Sequence, residues 1–278
     1  MKDLISFKLI TALSITLLSF SSCKNLDLKE SSSSGIAAKN IEEYAIQGVL
    51  WQQTSGEYKA LCYQAFNIAK LQLGKELSNH ATSDKPLAIV TDLDETLIDN
   101  SPYSAKQAKI GEGFLAENWI AWGNLEAAEA VPGALEFLNF AHQNGVAIFY
   151  ISDRYNNQLQ STINNLKKLN FPNADNEHIM LKQKGQNKEK RRLKVAQNYK
   201  AVLFLGDNLS DFSNIFDHQT LESRNALTDK ERAEFGKKFI VLPNPMYGAW
   251  LTDGIYNGKY DWTPAQKDSI IRKRLNSY

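Results

Sequence analysis

Three short apolar runs constrain this chain more than anything else in it: LAIV (Leu87 to Val90), VAIFYIS (146–152) and AVLFLGD (201–207). None alternates with polar residues, so each predicts a strand covered on both faces, as in a parallel sheet. A helix-like segment precedes each of the last two, Ala134 to Gln143 and Lys188 to Asn198, and Gly145 offers a C-cap for the first. Strands alternating with helices predict an α/β fold with a doubly wound, Rossmann-type parallel sheet. Upstream, Ile41, Ala45, Val49, Tyr58, Leu61, Ala65, Ile68 and Leu71 recur at helical spacing. They predict two helices broken near Thr54, Ser55 and Gly56.

All three runs end in polar residues: Asp92 and Asp94, then Ser152, Asp153 and Arg154, then Asp207, Asn208 and Asp211. In open parallel sheets ligands bind beyond the carboxyl ends of the strands, so these ends are expected to meet in one crevice. The first of them, IVTDLDETLIDN (89–100), crowds Asp92, Asp94, Glu95 and Asp99 together. Like charges this close raise one another's pKa unless a cation relieves them. A solvated acidic loop is the plain alternative, and three aligned polar ends weigh against it.

That chemistry suits a phosphate monoester. Its dianion would be repelled by carboxylates alone, and Mg²⁺, a hard cation taking carboxylates, water and substrate phosphate as ligands, removes the conflict. An ionised aspartate can then attack phosphorus to give an aspartyl-phosphate. Residues two apart at a strand end point the same way, so Asp92 and Asp94 can serve one substrate, Asp92 attacking and Asp94 moving protons.

DLDET (92–96) is similar to the first motif, D-x-D-x-T, of the haloacid dehalogenase (HAD) superfamily of phosphatases, Ser152 to its second motif, and GDNLSDF (206–212) to its last. More narrowly, the chain resembles the class C acid phosphatases, the bacterial lipoprotein nucleotidases known as lipoprotein e. The likeness is carried by WQQTSGEYKALCYQAFN (51–67), DLDETLIDNSPY (92–103), AVPGALEFLNFAHQNG (130–145), FYISDR (149–154), GDNLSDF and LPNPMYGAW (242–250). The resemblance implies a HAD-like fold with N-terminal helices and a small helical cap region. It implies Asp92 as nucleophile and Mg²⁺ ligand, and Asp94 as acid–base that lends the metal its carbonyl. Asp207 becomes a further ligand, Asp211 an outer carboxylate on metal-bound water, and Ser152 a phosphate-binding residue. In KQKGQNKEKRR (182–192), Lys182, Lys184, Lys188 and Lys190 compete for the phosphate-binding lysine, and K-E-K-R aligns Lys188 with the family pattern K-S-x-K-x-x-R. Asp153 stands where the family commonly has Asn, adding negative charge near the phosphate.

Beyond the phosphate, aromatic side chains are the natural platform for a nucleobase. Trp119 and Tyr247 correspond to the family's aromatic sandwich, while Trp122, one turn from Trp119, reads as packing, and Asn100 and Tyr103 as entrance residues. The substrates implied are small phosphate monoesters, in particular nucleoside monophosphates. A broad-specificity phosphomonoesterase, or a non-catalytic ligand-binding surface lipoprotein, is the alternative. A dehalogenase is disfavoured, because that chemistry does without the second aspartate of D-x-D. The scattered histidines lack zinc-hydrolase spacing. A net charge of +1 gives no argument for nucleic acid as partner.

The N-terminus sets the address. Lys2 and Lys8 precede an apolar stretch from Leu9 to Phe20 that is too short to span a bilayer and fits a secretory signal. FSSC (Phe20 to Cys23) resembles the lipobox of bacterial lipoproteins, with an ordinary signal peptide or an uncleaved anchor as alternatives. The expected division is a signal peptide over 1–22, lipidated Cys23 with a serine-rich tether over 23–40, and the phosphatase domain over 41–278. Such a protein would be lipid-anchored in the bacterial cell envelope, at the outer membrane, and by family analogy a homodimer. With Cys23 lipidated, Cys62 has no partner and reads as a core residue.

Overall fold

The computed structural model describes residues 43–81 and 83–278; the signal, lipidation and tether assignments lie outside them. Two helices come first, α1 (Glu43–Thr54) and α2 (Gly56–Asn79), parted where the sequence predicts. The break is a cap: Ser55 has extended backbone, and its side chain accepts a hydrogen bond from the Tyr58 amide at 3.1 Å. Strand β1 (Leu87–Thr91) follows, then an insertion with β2 (Ile98–Asp99), α3 (Ser101–Ile110), α4 (Ala116–Asn124) and β3 (Glu129–Ala130). The chain continues through α5 (Ala134–Gln143), β4 (Ala147–Tyr155), α6 (Leu159–Lys168), β5 (Ile179–Lys182), α7 (Lys188–Asn198) and β6 (Lys200–Gly206). It closes with α8 (Leu221–Lys230), β7 (Phe239–Val241) and α9 (Pro264–Arg274).

The main sheet has five strands in the order β5-β4-β1-β6-β7, all parallel, so the fold is the expected HAD-like Rossmann type. Its central strands are apolar throughout because the sheet is packed on both sides. Leu87 and Ile89 of β1 join one core cluster with α2 and α5, whereas Ala88 and Val90 join another with Phe149, Ile151 and Val195 of α7. Each of the larger side chains, the Leu, Ile, Val and Phe, contributes about 1.5–3 kcal/mol by leaving water. Cys62 is fully buried in the larger cluster. Helix α5 ends at Gln143 as expected, and its C-cap is Asn144, one residue before the glycine expected to cap it. Gly145 takes the left-handed conformation just beyond (φ +75°), and Val146 N–H bonds back to the Ala141 carbonyl at 3.1 Å.

β4, β1 and β6 lie side by side, so the polar residues after them share one sheet edge. The Asp92 amide extends the ladder by donating to the Leu205 carbonyl at 2.9 Å, and the chain then turns sharply through Glu95 (φ +58°). That turn ties Leu97 and Ile98 amides to the Leu93 carbonyl and launches the helical insertion, the expected small cap region. Among the described residues no helix is long and apolar enough to cross a membrane.

Candidate active site

Asp92, Asp207 and Asp211 converge, with one oxygen from each lying within 4.8 Å of the others. Asp92 and Asp211 are buried, and Asp207 is half-buried. Lys188, the first residue of α7, inserts between two of them: its Nζ donates to Asp92 Oδ1 at 2.5 Å and to Asp211 Oδ1 at 2.6 Å. Of the four lysines, Lys188 is the one whose ammonium the fold brings to the acidic cluster. Lys190 Nζ instead donates to the Gly185 carbonyl, and Lys182 and Lys184 are exposed. Burial alone would lower the Lys188 pKa, but Asp211, Asp92 and Asp153 outweigh it and hold the ammonium above its ordinary value.

The aspartates respond in the opposite sense. Burial pushes Asp92 well up, Lys188 draws it back, and Asp211, Asp207 and Asp94 push it up again. Asp207 is pushed up to about 7 by burial and by Asp211, even though Asn244 Nδ2 donates to its Oδ2 at 2.8 Å. One lysine for three carboxylates leaves an excess of negative charge. All the side-chain donors are hard oxygens, so the cluster fits a divalent cation of the magnesium type. Asp92, Asp207 and Asp211 are the residues that would hold it.

Asp94 lies in a different environment. Its carboxylate receives Arg154 Nε at 2.9 Å and 3.2 Å and Arg154 Nη2 at 2.8 Å, together with Asn100 Nδ2 at 2.9 Å and Ser152 Oγ at 3.1 Å. The two aspartates of D-x-D therefore diverge in their partners: Asp92 faces Lys188 and Asp211, while Asp94 faces Arg154, Ser152 and Asn100. The alternation rule foresaw two groups at one site; the turn after Leu93 gives each its own cation.

Helix α7 holds both sides of the crevice. Arg191 Nη1 donates to the Ser152 carbonyl at 2.6 Å, and Arg192 Nη1 to the Asp211 carbonyl at 2.9 Å. Asp153, expected to add charge near the phosphate, is ion-paired with Arg191 Nη2 at 2.5 Å. Burial would raise its pKa, but Lys188 and Arg191 outweigh burial and hold it below the ordinary value.

The aromatic residues are arranged differently from one another. Trp119 is almost fully buried; Tyr103 meets it edge-on at 5.0 Å, Phe114 lies at 6.3 Å, and the Arg154 guanidinium sits 5.5 Å from its ring centre. The exposed member of the group is Phe114, at 62%. It was not foreseen, and the only hint was an aromatic in the glycine-flanked IGEGF (110–114). Tyr247 lies in the loop after β7; its hydroxyl is buried and has no hydrogen-bond partner within the protein. Trp122 packs against the core and donates its Nε1 proton to Asn100 Oδ1 at 2.8 Å. Asn100 is fully buried, so it supports Asp94 instead of lining an entrance.

A parallel sheet with an acidic cluster, one buried lysine and a D-x-D turn at its carboxyl edge defines the phosphatases of the HAD type. Residues 8–250 match the family described as HAD superfamily, subfamily IIIB (acid phosphatase), and the chain belongs to that family of phosphomonoester hydrolases. Among solved structures it is similar to the class C acid phosphatase of Bacillus anthracis, at 43% identity and a TM-score of 0.82, covering 86% of this chain and 99% of that one. The same figures hold for that enzyme with tungstate bound. Curated relatives include plant proteins. Vegetative storage protein 1 of Arabidopsis thaliana is 30% identical over 185 residues, 62% of either chain. The stem 31 kDa glycoprotein of Glycine max is 29% identical over 163 residues, 56% of this chain and 57% of that one. The matches thus span less than two thirds of those relatives.

Proposed function

We propose that the chain is a magnesium-dependent acid phosphatase of 5′-nucleotidase type, acting through an aspartyl-phosphate. The observation that carries this reading is the division of labour between the two aspartates: Asp92 sits in the acidic cluster beside Lys188, and Asp94 sits apart under Arg154. Mg²⁺ held by Asp92, Asp207 and the Asp94 carbonyl, with Asp211 as the outer carboxylate, would supply positive charge to the substrate phosphate and keep Asp92 ionised. An Asp92 oxygen attacks phosphorus while the bond from phosphorus to the ester oxygen breaks, and Asp94 gives that oxygen its proton. Asp94 then takes a proton from water, the water oxygen attacks phosphorus, and inorganic phosphate leaves with Asp92 regenerated. Lys188 Nζ and the Ser152 hydroxyl are assigned to the phosphoryl oxygens, where fixed donors stabilise developing charge.

The leaving group is assigned to the aromatic side of the crevice. Trp119 and Tyr247 are assigned to the nucleobase side, with Phe114, packed on Trp119, as the exposed face on which a base can stack. A broad phosphomonoesterase would use the same chemistry without this preference. A pure ligand-binding protein has no use for the Asp94 arrangement. In the cell, Cys23 is assigned the lipid and residues 24–40 the tether to an envelope membrane, with two copies forming a dimer. Cys23→Ser should release the protein into the soluble fraction.

The deciding experiment measures phosphate release from 5′-AMP, phosphotyrosine and p-nitrophenyl phosphate, with magnesium and after chelation, for wild type and Asp92→Asn. Turnover lost on chelation and in Asp92→Asn, with a higher kcat/KM for 5′-AMP, is expected. Undiminished turnover in either condition refutes the mechanism, and equal kcat/KM on all three esters refutes the nucleotidase assignment.

A further inference from the structure

Arg154 is the largest fully buried side chain among the described residues, at 1% exposure. Burying a guanidinium is costly unless every donor is used, and here every nitrogen is. Nε and Nη2 bind Asp94, Nη2 also reaches Asn100 Oδ1 at 3.2 Å, and Nη1 reaches Thr162 Oγ1 at 3.4 Å. Packing confines it as well. The Trp119 ring lies against one face, and Gly123 of α4 lies close by, where an added Cβ would come within 2.4 Å of Gln158 Nε2.

The two oxygens of Asp94 are treated unequally. Oδ1 receives Arg154 Nε and Nη2 and Asn100 Nδ2, which fills its lone-pair directions. Oδ2 receives the Ser152 hydroxyl at 3.1 Å and only a longer share of Arg154 Nε at 3.2 Å. A hydroxyl rotor can turn away; a forked guanidinium cannot. Asn100 is itself fixed by Trp122 Nε1 at 2.8 Å, so the arrangement is braced from the helical insertion as well as from β4.

We propose that Arg154 is a positioning residue that saturates Asp94 Oδ1, so that Oδ2 alone carries the transferred proton. When Ser152 turns its proton to a phosphoryl oxygen, Oδ2 is released to hold the proton destined for the leaving alkoxide. The same oxygen accepts the proton of water in the second half of the reaction. This deepens the reading of Asp94 as acid–base and rests on it. A lysine at 154 would keep the charge but lose the fork, and Asp94 could then present either oxygen.

The test compares leaving groups. An alkyl ester such as 5′-AMP departs as an alkoxide and needs a proton, whereas p-nitrophenyl phosphate departs as a stable phenolate and does not. Arg154→Lys should lower kcat/KM for 5′-AMP by about 30-fold or more and for p-nitrophenyl phosphate by less than about 5-fold, within the range that proton transfer contributes. The comparison is made on kcat/KM, which reports phosphoryl transfer before the hydrolysis of the aspartyl-phosphate that both esters share. Trp122→Phe, which removes the Nε1 brace on Asn100 and keeps an aromatic ring in the core, should show the same selectivity at about 3–10-fold, and it carries the test should Arg154→Lys not fold. Equal losses on both esters, or no loss in the folded variants, overturns the proposal. Wild-type protein inert on both esters would instead bring down the phosphatase reading, and this inference with it.

Discussion

Replacing Lys188 with methionine keeps the length of the side chain and removes the one ammonium that Asp92 and Asp211 share. The contacts at 2.5 Å and 2.6 Å each represent about 6 kcal/mol of gross attraction at an effective dielectric near 20. Desolvation returns much of this, and removing one partner of a buried pair nets about 3–5 kcal/mol of destabilisation. Partial protonation of the stranded carboxylates relieves some of it, so about 3 kcal/mol is expected at pH 7 without divalent cation. For a domain of this size that lowers Tm by about 6–12 °C. The sign with pH is definite. The Lys188 pKa is raised, so its contribution is fully present below the ordinary lysine value and is lost only at strongly alkaline pH. The variant is therefore weak across the neutral range and recovers as acid protonates Asp92, whose burial holds its pKa up. Urea unfolding in EDTA and in millimolar magnesium, at pH 5 and pH 7.5, provides the assay. The deficit should shrink at the lower pH and on adding magnesium. A variant as stable as wild type in EDTA at neutral pH, or one indifferent to magnesium, would refute the assignment of Lys188 as counter-charge to a cation-binding cluster.

In the wild type, Asp207 titrates near 7 when folded against an ordinary value near 3.8, so between these limits the folded chain binds more protons. Stability in EDTA should then fall as pH rises from about 4 to about 7, by up to about 4 kcal/mol, and magnesium should flatten the slope; a flat curve in EDTA refutes this. At Gly206 an added Cβ would lie 2.4 Å from Asp211 Cβ and from its Oδ2. Gly206→Ala should cost about 1–3 kcal/mol and weaken magnesium binding measured by calorimetry, and unchanged affinity would show that the Asp211 loop is not set by this contact. Ser55→Ala should cost about 1 kcal/mol in urea unfolding through the lost cap on α2 while leaving kcat/KM alone. A fall in activity there would mean that α2 contributes to the site.

Some of this architecture is legible before folding. β1, β4 and β6 are apolar on both faces because the sheet is covered on both sides, and α5 and α7 begin and end where their patterns predict. The edge strands β5 and β7, of four and three residues, left no comparable run and were not foreseen. The aspartates announced themselves because repelling charges at three strand ends have few purposes. Arg154 was placed with the polar residues at the end of the second run but given no role of its own, and only burial beside Asp94, 60 residues away, gives it one. Lys188 was one candidate in four until α7 aimed it.

Chemistry that depends on residue type and spacing was therefore available from the chain alone: the parallel sheet, the acidic crevice, the family likeness. The pairing of each aspartate with its own cation, and the burial of Asn100 and Trp122 behind one of them, came only with tertiary structure. The reason is physical. Charge and hydrophobicity are properties of a residue, but which donor reaches which oxygen depends on turns and packing that bring distant segments within 3 Å.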